Sequence, residues 1–300
     1  MSATELFIAL FHAVKIKDFR WWPGFGSFEV VVGAILIQNT AWRNADAALQ
    51  NLRSKGLLSL DGIAELDEAE LAEIIKASGF YNQKARRLNS LCKAIIADFG
   101  DFESFKADVS REWLLARKGI GAESCDAILC YACERAVMVA DSYSARLLGA
   151  LGYEFESYDE LSAWLGELEF ERIYEFVSSS GGAVQPQIYS SQDTVVREAD
   201  TSTAKAIPRS KHRTGHREDA FGRDTSLYAE SSAKTEGLRC VGYDAAAEAS
   251  TPRVNKQSVN DENGVYALFH GLIVEFCKAH LKGKIFDDFA NKIFDNLRWN

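Results

Sequence analysis

The chain has 300 residues, of which 47% are hydrophobic and 11% aromatic, and a formal net charge of −9. That composition supplies a packed core and excludes collagen-like, coiled-coil and wholly unstructured chains. Its longest apolar run, Val30 to Ile37, falls far short of the roughly 18 residues needed to cross a bilayer, so a membrane partner is not expected.

At the N-terminus, MSATELFIALFHAVKIKDF lacks a basic leader ahead of its apolar stretch and carries Glu5 inside the first turn, which argues against a secretory signal. Cysteines at 92, 125, 130, 133, 240 and 277 show no small-scaffold spacing and fit a reducing compartment, so a cytoplasmic protein is expected. Charge is unevenly spread. Residues 1–150 carry 17 basic and 19 acidic side chains while 151–182 carry one and eight, which leaves room for a local basic surface.

The stretch FEVVVGAILIQNT, starting at Phe28, is rich in valine and isoleucine and favours a strand by propensity. Its setting among helical patterns makes it a buried helix instead. LAEIIKA at 71–77 reads as a helix ending at Ser78-Gly79, and Trp113-Leu114-Leu115 as one ending at Lys118-Gly119. AILCYAC at 127–133 carries apolar side chains at helical spacing; its cysteines, with Cys125, do not share one face and read as apolar packing.

Between these helices, Gly119-Ile120-Gly121 makes a tight reversal: the glycines allow positive φ and Ile120 can plug the gap. Such a reversal aims the free N–H groups of the next helix outward, where they can bind a phosphate oxygen. A purely structural hairpin is the alternative. Twenty residues on, in VMVADSYSARLL, Asp141 stands where a helix would begin; by itself it reads as an N-cap, and capping would keep the carboxylate ionised.

Composition shifts near Ser178 and again near Asn263. Residues 183–262 hold four aromatics in 80 residues, against 30 in the other 220, and three of the four prolines. Such a segment cannot bury a core, and it is predicted to be a disordered insertion. Its basic run KAIPRSKHRTGHR, at 205–217, reads as a solvated polyampholyte or as a phosphate contact.

RWWPG at 20–24, GAILIQNTAW at 33–42, SGFYNQKARRL at 78–88, REWLLARKGIGAESCDAILCYAC at 111–133, VMVADSYS at 137–144 and VYALFHGLIVEF at 265–276 together resemble the helix-hairpin-helix DNA glycosylases of the endonuclease III superfamily. Within them the chain is most similar to the bacterial 3-methyladenine branch, over about 220 residues. The resemblance implies an all-α fold of two helical domains with a cleft between them, plus the insertion. One is a central bundle over 26–134 that ends in the hairpin. The second comprises 1–25, 135–182 and 263–300 and carries the catalytic aspartate.

Residue by residue, the resemblance makes Asp141 catalytic, Gln38 the side chain that fills the gap left by an extruded nucleotide, and Gly119, Ile120 and Gly121 the grip on the DNA backbone. Trp42 and the corner Trp21-Trp22-Pro23 match the walls of a base pocket, although paired tryptophans by themselves usually mean core. His270 reads as a pocket residue or as a core histidine bonded to a backbone carbonyl, and Leu272 stands near the pocket where close relatives tend to carry lysine. Lys84, Arg86, Arg87, Lys118 and Lys278 are candidate phosphate contacts or solvated charges.

Two departures define the expected subtype. Strand-cleaving relatives carry a Schiff-base lysine just after the hairpin glycines, where this chain has Glu123, so a monofunctional enzyme is expected. Those relatives often hold an iron–sulfur cluster on four C-terminal cysteines, where only Cys277 occurs, so no cluster and no metal are expected. A monovalent cation at the hairpin is compatible with the resemblance. The implied partner is double-stranded DNA with a damaged base, bound by a monomer that hydrolyses the N-glycosidic bond of alkylated purines, chiefly 3-methyladenine, in base excision repair. The competing expectations are an endonuclease III-like glycosylase with lyase activity on oxidised or mismatched bases, and a non-catalytic DNA-binding module.

Overall fold

A computed structural model describes residues 1–16, 19–180 and 262–298. The predicted insertion and its basic run lie outside the described residues, apart from Glu262, which opens a helix, and Cys240 lies outside them as well. Among the described residues the architecture is helical, with one two-stranded ribbon.

Many of the helix starts follow from short polar side chains that accept the orphan N–H groups of a first turn. Ser2 forms a reciprocal capping box with Glu5 at the start of α1 (Ala3–Ala13). Ser59 caps α4 (Leu60–Glu65), Asp67 α5 (Glu68–Ile74), Asp101 α7 (Phe102–Asp108), Ser110 α8 (Arg111–Leu115), and Ser157 α11 (Tyr158–Gly166). Each cap replaces a lost backbone bond and contributes about 1 kcal/mol.

The stretch from Phe28 is indeed a helix, α2 (Phe28–Leu36), with every residue but Glu29 buried. Burial on all sides decides the outcome against β propensity, because a helix satisfies its own backbone groups where no neighbouring strand is available. Around α2 pack α3 (Trp42–Ser54), α6 (Tyr81–Phe99) and α9 (Ala122–Ala127), which share one core through Ile35, Leu49, Leu88 and Cys125. A 3₁₀ turn at Lys76–Ser78 follows α5 and ends at Gly79 with φ +67°.

Downstream of α9 the helix widens into a π turn at Ile128–Ala132, where Cys133 N–H reaches the Ile128 carbonyl at 3.0 Å. The altered ladder leaves carbonyls for other partners: Gly26 N–H donates to Tyr131 O at 2.7 Å and Asn263 Nδ2 to Cys130 O at 2.9 Å. The remaining helices are α10 (Ser142–Ala150), α12 (Phe170–Ser180) and α13 (Glu262–His280), followed by β1 (Leu281–Lys282), β2 (Ile285–Phe286) and α14 (Asp288–Arg298). Leu281 pairs with Phe286 across the antiparallel ribbon.

Helix α13 is the joining element. Thirteen of its nineteen residues are buried, and its first half lies against the π turn through Asn263 and Ala267. Trp21, in a 3₁₀ turn at Phe19–Trp21, packs on Gly271, where an added Cβ would stand 2.9 Å from the ring. Only glycine permits that approach. Helix α13 thus packs on the π turn and on the Trp21 corner, and the carboxylate of interest lies beside its His270.

Candidate active site

Asp141 is the N-cap of α10, as its position in the sequence suggested. All of its capping bonds fall on one oxygen: Oδ1 accepts from Tyr143 N–H at 2.9 Å, Ser144 N–H at 2.9 Å and Ser144 Oγ at 3.2 Å. Oδ2 instead faces His270 Nε2 at 3.5 Å and takes part in none of these capping bonds. The side chain is 14% exposed. Burial pushes its pKa up, but His270 beside Oδ2 and the Ser144 N–H outweigh it and hold the carboxyl below the usual aspartate value. At neutral pH the site therefore presents an anion with one committed and one uncommitted oxygen.

His270 is 3% exposed, and its partner differs from both sequence expectations. Neither an open pocket nor a backbone carbonyl receives it: Nδ1 lies 2.6 Å from the Tyr131 hydroxyl, which also lies 3.2 Å from the Ala267 carbonyl. The aromatic groups close round this pair. Trp21 stands edge-on to His270 with centroids 5.7 Å apart, and Trp22 tilts over Tyr131 at 5.0 Å and meets Trp42 edge-on at 5.7 Å.

Trp22 is buried in the core, a correction to its expected place on a pocket wall, because the rings of Trp21, Trp42 and Tyr131 surround it. Trp21 and Trp42 are half-buried and Pro23 is exposed, so these remain able to face a ligand. Leu272 is completely buried and lines no open surface.

At the hairpin, Gly119 has φ +86°, and a Cβ there would fall 2.2 Å from Arg87 Nε. Ile120 is buried as the plug between the helices, whereas Gly121 has an ordinary φ of −92° and needs no glycine freedom. Gln38 does not stand free. Its Nε2 donates to Gly119 O and Ser124 Oγ, each at 3.0 Å, and its Oε1 accepts from Arg87 at 2.9 Å. An ion held by hairpin carbonyls would have to share Gly119 O with that amide.

Among the basic candidates, Lys84 is corrected. It is 1% exposed and donates to Leu36 O at 2.8 Å and Ser78 O at 2.6 Å, so it satisfies two chain ends inside the core and cannot reach a phosphate. Burial pushes its pKa down to about 8, with Arg87 adding to the shift. Lys118 is exposed, Arg86 lies 3.4 Å from Glu68, and Lys278 pairs with Glu275 at 2.6 Å while reaching over Trp21. Such surface pairs are worth little and can exchange for phosphate.

Sequence reasoning missed Arg117, which stacks on Trp113 at 4.5 Å and lines, with Arg87, Lys118 and Ile120, a recess of about 200 Å³ beside the hairpin. It also missed Tyr131 and Ser144. A larger recess of about 550 Å³ is lined by Glu169, Glu171, Glu175 and Glu262 with Arg172, and its net negative wall would repel a phosphate backbone. The five cysteines of the described residues are buried, and burial pushes Cys125 and Cys277 up to about 12, which makes these two inert as nucleophiles. No group of three or more metal-ligating side chains occurs among the described residues, and no helix there is long and apolar enough to cross a membrane.

Residues 32–199 match the HhH-GPD superfamily of base excision DNA repair proteins, and the chain belongs to that superfamily. It is a DNA glycosylase of that kind. It is similar to the "Putative DNA repair glycosylase MJ1434" of Methanocaldococcus jannaschii, with 43% identity over 149 residues, 47% of this chain and 68% of the relative. It is also similar to the thymine/uracil-DNA glycosylase of Methanothermobacter thermautotrophicus, at 23% over 151 residues, 49% and 66% of the two chains. Among solved structures, H. pylori 3-methyladenine DNA glycosylase (MagIII) bound to 1,N6-ethenoadenine superposes with a TM-score of 0.60 and 32% identity, covering 93% of this chain and 98% of that one.

Proposed function

We propose that this glycosylase is monofunctional and excises alkylated purines, chiefly 3-methyladenine, from double-stranded DNA. The observation that carries the reading is the divided carboxylate of Asp141: Oδ1 is saturated by the start of α10 and Oδ2 is left for a reacting centre. The likeness to the MagIII structure supports the substrate class.

A base stacked in a duplex cannot be reached, so the damaged nucleotide must rotate out at a cost of a few kcal/mol. Methylation at N3 of adenine leaves the base cationic, and an aromatic face such as that of Trp21 or Trp42 attracts a cation by about 0.5–2 kcal/mol. The same charge makes the base a good leaving group. The C1′–N bond breaks with its electron pair going to the base, and no protonating side chain is required.

Asp141 then has two tasks. Its negative charge stabilises the oxocarbenium-like sugar, and Oδ2 takes the proton of the water whose oxygen adds to C1′. Glu123, on the first turn of α9, carries no amine for a Schiff base, which favours hydrolysis without strand cleavage. The test is to incubate the protein with methylated duplex and identify released bases by chromatography, with borohydride trapping in parallel. Release of 3-methyladenine without a trapped adduct is expected. Release of thymine or uracil from mismatches instead, or a trapped covalent complex, overturns the reading.

A further inference from the structure

Tyr131 and His270 form a buried pair that the base-release scheme does not use. His270 Nε2 has no hydrogen-bond partner and faces Asp141 Oδ2 at 3.5 Å, close for an attraction and long for a hydrogen bond. The Tyr131 hydroxyl has one hydrogen and two polar neighbours, His270 Nδ1 at 2.6 Å and Ala267 O at 3.2 Å. Because Nε2 faces a carboxylate, the ring presents an N–H there in either arrangement: the neutral ring with Nδ1 accepting from the hydroxyl, or the protonated ring with Nδ1–H donating to a hydroxyl that donates to Ala267 O.

We propose that Tyr131 and His270 are positioning residues that keep Asp141 ionised and hold Oδ2 in place for the sugar, neither of them touching the base. This rests on Asp141 being the reacting carboxylate. The geometry leaves few other groups for the task. The titratable neighbours of Asp141 on α10 and α13 are Tyr143 and Cys277, both kept neutral by burial, while Arg146 and Lys278 act on Tyr143. Trp21 closes the remaining side of the imidazole. The π turn is what brings the Tyr131 hydroxyl to α13.

The experiment labels aspartate side-chain carbonyls with ¹³C, assigns Asp141 through Asp141→Asn, and follows its titration beside single-turnover excision from methylated duplex at pH 5 and pH 8. In the native protein the carboxyl should titrate below the usual value of about 3.9, with nearly equal rates at the two pH values. In His270→Phe the uncompensated burial should raise it, so that the rate at pH 8 exceeds that at pH 5 by roughly fivefold or more. Tyr131→Phe should shift both readouts in the same direction by less, and His270→Gln, which still presents an N–H, should restore part of the native profile.

A merely structural role would lower both rates by one factor and leave the carboxyl titration unmoved, which would overturn the proposal. If His270→Phe does not fold, Tyr131→Phe decides, and native titration at or above 3.9 refutes the pair without any variant. Failure of the native protein to release a base would sink the functional reading, while the carboxyl titration still judges the pair.

Discussion

Asp141→Asn separates folding from chemistry at the site. Asparagine caps helices as well as aspartate does, and its Oδ1 can accept the same bonds from Tyr143 and Ser144, so α10 should keep its start and the melting temperature should fall only by the stability that the ionised carboxylate contributes. What disappears is one negative charge on Oδ2. At roughly 4 Å from a cationic sugar, with an effective dielectric constant near 20, that charge is worth about 4 kcal/mol, or about 10³-fold in rate. Loss of the proton acceptor adds to this. The assay is single-turnover release of 3-methyladenine, with affinity for an abasic-analogue duplex measured by anisotropy. Excision within tenfold of native by a folded, DNA-binding variant would refute the assignment.

Lys84→Met should remove the donor shared by Leu36 O and Ser78 O and cost about 2–3 kcal/mol, seen as a lowered melting temperature with duplex affinity within twofold; intact stability with weakened binding would restore the phosphate reading. Gly119→Ala forces a side chain to φ +86° and into Arg87, and a loss of about 1–3 kcal/mol together with weaker duplex binding is expected in melting and anisotropy; a neutral variant would contradict the hairpin geometry. Because the Asp141 pKa is lowered on folding, its contribution to stability is fully present above its unfolded value near 3.9 and fades as pH falls through the folded one. Acid denaturation of Asp141→Asn should therefore lack that component, and coincident acid curves would disprove it.

The sequence displays its helix starts openly, since Ser2, Ser59, Asp67, Asp101, Ser110 and Asp141 announce caps by chemistry alone. Helix α2 is legible only through its neighbours, because Val30, Val31 and Val32 speak for a strand until burial on all sides is considered. Lys84 misleads for a related reason: next to Arg86 and Arg87 it looks like surface charge, and only the meeting of α2 and Ser78 around it reveals two carbonyls in need of a donor. Tyr131 is hidden by the π turn. One extra residue rotates the downstream side chains by about 100°, so periodicity counted at 3.6 cannot tell which way the hydroxyl points. Nor can spacing relate Asp141 to His270, which is 129 positions away.

Gln38 stands at a mechanical crossroads. Its amide clasps the hairpin loop on one side and the Arg87 guanidinium on the other, so it cannot enter a duplex without first letting go of both. One amide thus ties the end of α2 to the hairpin loop and to α6, and any shift of Gly119 or Arg87 must either carry that side chain along or give up its bonds.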